Sequence, residues 1–248
     1  MQTVAIDFLW EQQPDIEFLE EQVHGLLSIW RNHGQVSLPS WLTHTLPTGW
    51  RVFAAIPEPG ALNAANDTIW ARRTRAELEE RGIRLEIREL GEDLLSATGC
   101  LCTSPSCYIL YTMYLSLESP VRCGDCFGPV PLYRLPVTDP DNSESLGLLH
   151  WASNWQACDS LQMQCTTLER AATREIRQHD GSLGRSGKAL AEHLSARMGK
   201  PFYLYLYPPH PRKKRPCPSC GGAWDLSEDW HRFAFRCNTC HLVSHREW

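Results

Sequence analysis

The spacing of apolar positions divides the first ninety residues into alternating elements. Residues 3 to 10 read as a strand. Ile16, Leu19, Val23, Leu26, Leu27 and Trp30 then recur at intervals of three and four, which predicts a helix opened by Pro14-Asp15 and stopped at Gly34. Residues 35 to 49 carry prolines and a glycine and read as a loop. Trp50 to Ile56 is a second strand, Ala61 to Arg81 a second helix stopped by Gly82, and Ile83 to Leu90 a cleanly alternating third strand with one wet face. The order β-α-β-α-β favours an α/β sheet.

The pattern is less regular further on. Tyr108 to Leu117 and Val130 to Leu135 read as strands, and residues 138 to 145 as a linker or capped turn. Leu146 to about Gln178 is the longest helical stretch, with a break at Cys165-Thr166-Thr167 and an end at Gly181 to Gly184. Ala189 to Met198 is a short amphipathic helix. Phe202 to Tyr207 is a strand with Tyr203, Tyr205 and Tyr207 on one face. The expected fold is an α/β (or α+β) body with a mixed sheet over 1–207, a Pro-rich basic linker over 208–216, and a small metal-bound tail over 217–248.

That tail has the most specific chemistry in the chain. Cys217-Pro218-Ser219-Cys220 and Cys237-Asn238-Thr239-Cys240 stand in the spacing C-x2-C-x16-C-x2-C of a four-cysteine zinc ribbon. Two thiolates two residues apart reach one ion only across a sharp turn, and Gly221 and Gly222 give the backbone that freedom. Two such knuckles make a closed tetrahedral shell, which suits one structural Zn2+. The other readings of the spacing are redox or disulfide pairs and an iron site. Trp230 to Arg236 alternate, so Trp230, Arg232, Ala234 and Arg236 share a face opposite His231, Phe233, Phe235 and Cys237.

A second Zn2+ is expected less directly. Cys102, Cys107, Cys123 and Cys126 could close another four-sulfur shell, but only Cys123 and Cys126 have knuckle spacing. Buried, inert cysteines are the ordinary alternative.

Composition adds bounds. The chain has 248 residues, is 42% hydrophobic and 21% charged, and carries a formal charge of -5, as expected for an ordinary globular core. No apolar run is long enough to cross a bilayer and the start has no signal-peptide pattern, so the expectation is a cytoplasmic protein with no membrane partner. The charge is uneven: +4 from Lys200 onward and -9 before it. Arg212-Lys213-Lys214-Arg215 precedes the first knuckle. With Trp230, Arg232 and Arg236 it forms the candidate contact for RNA or single-stranded DNA, through phosphate-pairing cations and base-stacking rings. The competing expectation is a protein-binding adaptor or inhibitor, such as a toxin-neutralising immunity protein, that uses the acidic body against a basic partner. No catalytic motif is present. Asp159 is the one acid flanked by an aromatic and a cysteine, Trp155 and Cys158, on a largely apolar helix; a buried, hydrogen-bonded acid is its ordinary reading, and an enzymatic role is the weakest of the three readings.

Cys123-Gly124-Asp125-Cys126, Pro131 to Pro136, Trp155 through Met163, the tyrosine strand, Cys217 to Gly221, Trp224 and Cys237 to Ser244 together carry a resemblance. Over about half of the chain by motif, the sequence resembles an uncharacterised bacterial family of zinc-ribbon-containing, candidate nucleic-acid-binding proteins. The resemblance implies a metal at the tail. Members of that family often place Arg after the last cysteine, where this chain has His241, so no basic contact carries over there.

Overall fold

A computed structural model describes residues 1–38, 40–135, 143–208 and 216–246. The chain forms two compact units. Unit 1 comprises 1–99, 117–119 and 130–146, and unit 2 comprises 100–116, 120–129 and 147–248. The expected body of 1–207 and tail of 217–248 divide the chain differently, because the tail strands join a sheet begun near residue 108.

Unit 1 runs β1 (Gln2–Leu9), α1 (Ile16–Asn32), β2 (Leu42–Leu46), β3 (Gly49–Ile56), α2 (Ile69–Glu80) and β4 (Arg84–Glu92). Its sheet has the order β2-β3-β1-β4, and every neighbouring pair is antiparallel. This is the split β-α-β arrangement. The strand missing from the sequence reading is β2, and a single missed strand changes the sense of the whole sheet. Every β2 side chain is at least partly exposed, so it has no apolar alternation to detect. A two-residue Pro47-Thr48 turn joins it to β3, with Leu46 opposite Gly49.

The core lies on one face of this sheet. Val4, Ile6 and Phe8 from β1 and Val52, Ala54 and Ile56 from β3 pack with Leu19, Val23, Leu26, Leu27 and Trp30 of α1. Full burial of each large side chain contributes roughly 1.5–3 kcal/mol. Asp15 caps α1 by accepting from the Glu17 amide at 3.1 Å, and Thr68 caps α2 by accepting from Ala71 at 3.1 Å. On the opposite face Asp7 is buried. It takes Arg51 through two bonds of 2.6 and 2.7 Å and Arg88 at 3.0 Å.

Unit 2 holds β5 (Tyr108–Leu110), β6 (Val121–Cys123), most of α3 (Ser143–Gln164), α4 (Glu169–Arg177), α5 (Ser182–Met198), β7 (Phe202–Tyr205), β8 (Asp225–Trp230), β9 (Phe233–Cys237) and β10 (Leu242–Ser244). The mixed sheet has the order β6-β5-β7-β10-β9-β8. Strands β5, β7 and β10 run parallel, and β6, β9 and β8 are antiparallel to their neighbours. Leu242 pairs with Leu204 and Val243 with Tyr205, which places the tail within the sheet.

Three local expectations change, the first being that the strand expected over Tyr108 to Leu117 is β5 alone, which ends at Leu110. The break in the long helix falls at Cys165 and Leu168, both in left-handed backbone, but α5 begins at Ser182 and runs through Gly184 and Gly187. These glycines are packing positions rather than stops. A Cβ on Gly187 would lie 2.6 Å from the Trp151 indole nitrogen, and one on Gly184 would lie 2.2 Å from the Gln178 carbonyl. Val130 to Leu135 is not a strand; Leu132–Arg134 is a short 3-10 turn.

Candidate metal centres

The structure brings together two groups of four cysteines, both in unit 2. Cys217, Cys220, Cys237 and Cys240 form one; Cys100, Cys102, Cys123 and Cys126 form the other. Within each group the sulfur atoms all lie within 4.8 Å of one another. The sulfurs of a tetrahedral shell with bonds of about 2.3 Å are separated by about 3.8 Å; Cys220 and Cys237 stand 3.7 Å apart. Both groups could hold a metal ion.

The second group is corrected in one member: Cys100, not Cys107, is the fourth sulfur. Cys107 lies beneath the knuckle, where its carbonyl accepts from the Gly124 amide at 2.8 Å. A Cβ on Gly124 would come within 2.2 Å of the Cys107 sulfur, so only glycine fits between Cys123 and Asp125. Cys100 and Cys102 were not legible as a pair because their spacing is not that of a knuckle. The available signal was the two-residue period of extended chain, which turns both side chains to one side.

Three knuckles share one local geometry. The residue after the second cysteine is left-handed in each: Phe127 at φ 61°, Gly221 at φ 72° and His241 at φ 50°. In two of them this residue's amide donates to the carbonyl of the first cysteine, Phe127 to Cys123 at 3.0 Å and Gly221 to Cys217 at 2.9 Å. Backbone amides also point at sulfur. Asp125 donates to Cys123, Gly128 to Cys126 and Cys240 to Cys237, each at 3.4 Å. Such donors favour the thiolate, the form that binds metal.

Without a cation, the charges within each group conflict. Burial pushes the Cys217 thiol up to about 12, and it also raises Cys100. Hydrogen bonding with Cys126 takes Cys102 up to about 11. In each group one thiol is lowered instead. Cys220 falls to about 7, chiefly through the Gly222 amide and its neighbouring thiols. At Cys126 burial opposes ionisation, but the Gly128 amide and the adjacent thiols outweigh it. A bound cation would relieve this conflict by stabilising all four thiolates.

The middle knuckle is braced from two sides. The Ser106 amide donates to Asp125 at 2.8 Å and the Ser106 hydroxyl donates to it as well, which lowers the Asp125 pKa. From the tail, Trp230 Nε1 donates to the Gly124 carbonyl at 3.1 Å, and His231 Nε2 lies 2.8 Å from the same oxygen. The two sulfur groups are thus joined through the β8–β9 turn as well as through the sheet.

This turn also revises the expected alternation from Trp230 to Arg236. His231 sits at φ 58° and Trp230 pairs with Phe233, so the chain reverses between them. Trp230, Arg232 and Arg236, three of the seven residues expected to meet nucleic acid, have partners inside unit 2. Arg236 lies 4.0 Å from the Trp230 ring centre and 4.5 Å from that of Tyr203, and it donates to the Tyr203 hydroxyl at 2.7 Å. Arg232 lies over Tyr111 and donates to its hydroxyl. Nearby, the Tyr205 hydroxyl bonds His245 Nδ1 at 2.9 Å; burial and Arg232 push that imidazole down to about 4, which keeps it a neutral acceptor. Arg212, Lys213, Lys214 and Arg215 lie outside the described residues. Asp159 is buried, accepts from the Tyr114 amide at 2.9 Å and has its pKa raised by that burial.

Comparison with known proteins bears on the family. The chain is 33% identical over 245 residues to an uncharacterised protein of Haemophilus influenzae, across 94% of this chain and 93% of the relative. It belongs to that protein's bacterial family. A second uncharacterised H. influenzae protein is 36% identical over 197 residues, covering 76% of this chain and 94% of its own length. Residues 102–207 match a domain of unknown function, DUF2310, and residues 210–248 match another, DUF8594. In this chain, strands from both matched regions join the one sheet of unit 2. No solved structure matches the chain. No helix among the described residues is long and apolar enough to cross a membrane.

Proposed function

We propose that this protein is a two-zinc scaffold that binds single-stranded nucleic acid through unit 2. The observation that carries the metal reading is the pair of closed four-sulfur groups. Four thiolates without carboxylate or imidazole suit zinc, and four protein ligands leave no position for substrate. Each ion would therefore be structural. When bound, zinc supplies the charge that holds four thiolates together. Around it, the amides of Asp125, Gly128 and Cys240 orient the sulfurs, and Trp230 fixes one knuckle against the other's hairpin.

The nucleic-acid reading rests on the basic run Arg212 to Arg215, which the sequence ties to unit 2 between Tyr207 and Pro216. Trp230, Arg232 and Arg236 contribute less than expected, since their side chains already have partners. The test is fluorescence anisotropy with labelled RNA and DNA single strands across a salt series. Replacing all four basic residues by alanine should weaken binding at least tenfold and flatten the salt dependence. Unchanged affinity in this variant would remove the basic run from the function.

One observation favours a second reading, in which a protein is the partner. The edge strand β8 presents exposed Asp225, Glu228 and Asp229 at the free side of the sheet, a surface that suits a basic strand or loop. Reversing these three charges would abolish such a complex and leave binding to nucleic acid intact.

A further inference from the structure

Unit 2 has a cleft that the metal centres do not explain. It lies between α4 and the first tail knuckle, with a volume of about 810 Å³. Arg170, Arg174 and Arg177 line one wall. They stand at intervals of four and three on α4, hence on one face, while Ala172 and Ile176 are buried. Pro216, Pro218 and Trp224 line the other wall. His179 Nε2 lies 2.9 Å from the Pro218 carbonyl and spans the two walls. Arg177 is positioned over the Tyr207 ring, 5.2 Å from its centre.

We propose that this cleft binds a phosphate chain, with Arg170 and Arg174 as its pairing groups. Both arginines are exposed, and neither makes an ion pair or side-chain hydrogen bond among the described residues. Two guanidiniums without partners, one turn apart in a concave site, are arranged to take phosphate oxygens in bidentate pairs. Glu169 and Asp180 also line the cleft, one in the first turn of α4 and one beyond its end. They set its limits and leave Arg170, Arg174 and Arg177 between them. Three arginines spread over two turns of α4 match a repeating anion better than a single carboxylate.

The polymer form of the ligand rests on the nucleic-acid reading above; recognition of phosphate does not. The phosphates could belong to a polynucleotide or to a free inorganic chain, and two probes separate these sources. The first is a labelled 15-nucleotide RNA followed by anisotropy, and the second is inorganic tripolyphosphate followed by calorimetry. Both are applied to the full chain and to the double variant Arg170→Ala/Arg174→Ala. Exposed arginines without partners can be removed without unfolding, which circular dichroism and metal content would verify. The expected result is at least a tenfold loss of RNA affinity, a salt slope reduced by about 1.4, and loss of tripolyphosphate binding. A double variant that binds both probes like the parent overturns the cleft. If the alanine variant of Arg212 to Arg215 then still loses RNA, the nucleic-acid reading survives alone. A parent chain that binds tripolyphosphate through Arg170 and Arg174 but ignores RNA keeps the cleft and overturns the nucleic-acid reading. A parent chain that binds neither overturns both.

Discussion

Unit 1 and unit 2 differ in how their sheets are assembled and in where the cysteines fall. All eleven cysteines lie in unit 2 and none in unit 1. Unit 1 has continuous strands of five to nine residues and one apolar cluster built around Phe8 and Trp30. Unit 2 joins strands of three to six residues, drawn from segments a hundred positions apart, into one sheet. Strands that short, with register fixed at two or three residues, gain little from pairing alone. Each sulfur group brings together segments distant in sequence, Cys100 and Cys102 with Cys123 and Cys126, and Cys217 and Cys220 with Cys237 and Cys240. Unit 2 also buries apolar side chains, among them Ile109, Trp151, Phe202 and Phe233; what it adds is two sulfur groups that could each be closed by a metal ion.

The largest effect that sharpens this contrast is loss of a ligand. Cys123→Ser or Cys237→Ser should release one ion and disorder the sheet of unit 2, since a structural zinc contributes on the order of 10 kcal/mol to folding. Unit 1 should stay protected in hydrogen exchange. Loss of protection in β1 and α1 as well would end the separation of the two units. The converse variant is Phe8→Ala. It removes a fully buried ring from unit 1 and should cost about 3–5 kcal/mol there, with metal content unchanged.

A smaller effect tests the polar face of unit 1. Arg51, through its hydrogen bonds, holds the Asp7 carboxyl below its ordinary value against the opposing effect of burial, and Arg88 assists. A carboxyl with a lowered folded pKa stabilises the fold above the ordinary carboxylate range of about 4, and the stabilisation is lost as pH falls through the folded value. Asp7→Asn should therefore cost roughly 2 kcal/mol at pH 7, and the gap to the parent should narrow in urea titrations as pH falls below the ordinary carboxylate range. A gap of constant size would mean that Asp7 acts by shape rather than charge. The smallest effect concerns the strap between the two sulfur groups. Trp230→Phe keeps a ring against Arg236 but loses the bond to Gly124, and it should cost about 1 kcal/mol. Metal at Cys123 and Cys126 should then exchange faster than metal at Cys217 and Cys220; equal rates would remove the strap from the second centre.

The sequence was most informative where chemistry or periodicity is local. The α1 stripe, the β1 and β3 strands and the tail knuckles are each specified within a few residues. Strand β2 escaped because an exposed edge strand has no apolar alternation. Gly184 misled because a glycine kept for close approach to the Gln178 carbonyl looks the same as one that ends a helix. Cys100 escaped because its partnership depends on β5 and β6 folding back beneath it, and Cys107 took its place on spacing alone. Trp230, Arg232 and Arg236 had the composition of a nucleic-acid surface. Only tertiary structure shows that the rings of Tyr203 and Tyr111 occupy those cations.

Metal stoichiometry tests the two-centre scaffold most directly. Elemental analysis of the intact chain should give two zinc ions per molecule, falling to one in Cys126→Ser and to one in Cys240→Ser. One ion in the parent, lost with Cys240 and indifferent to Cys126, would contradict a metal at the middle knuckle and leave Cys100, Cys102, Cys123 and Cys126 as packed thiols.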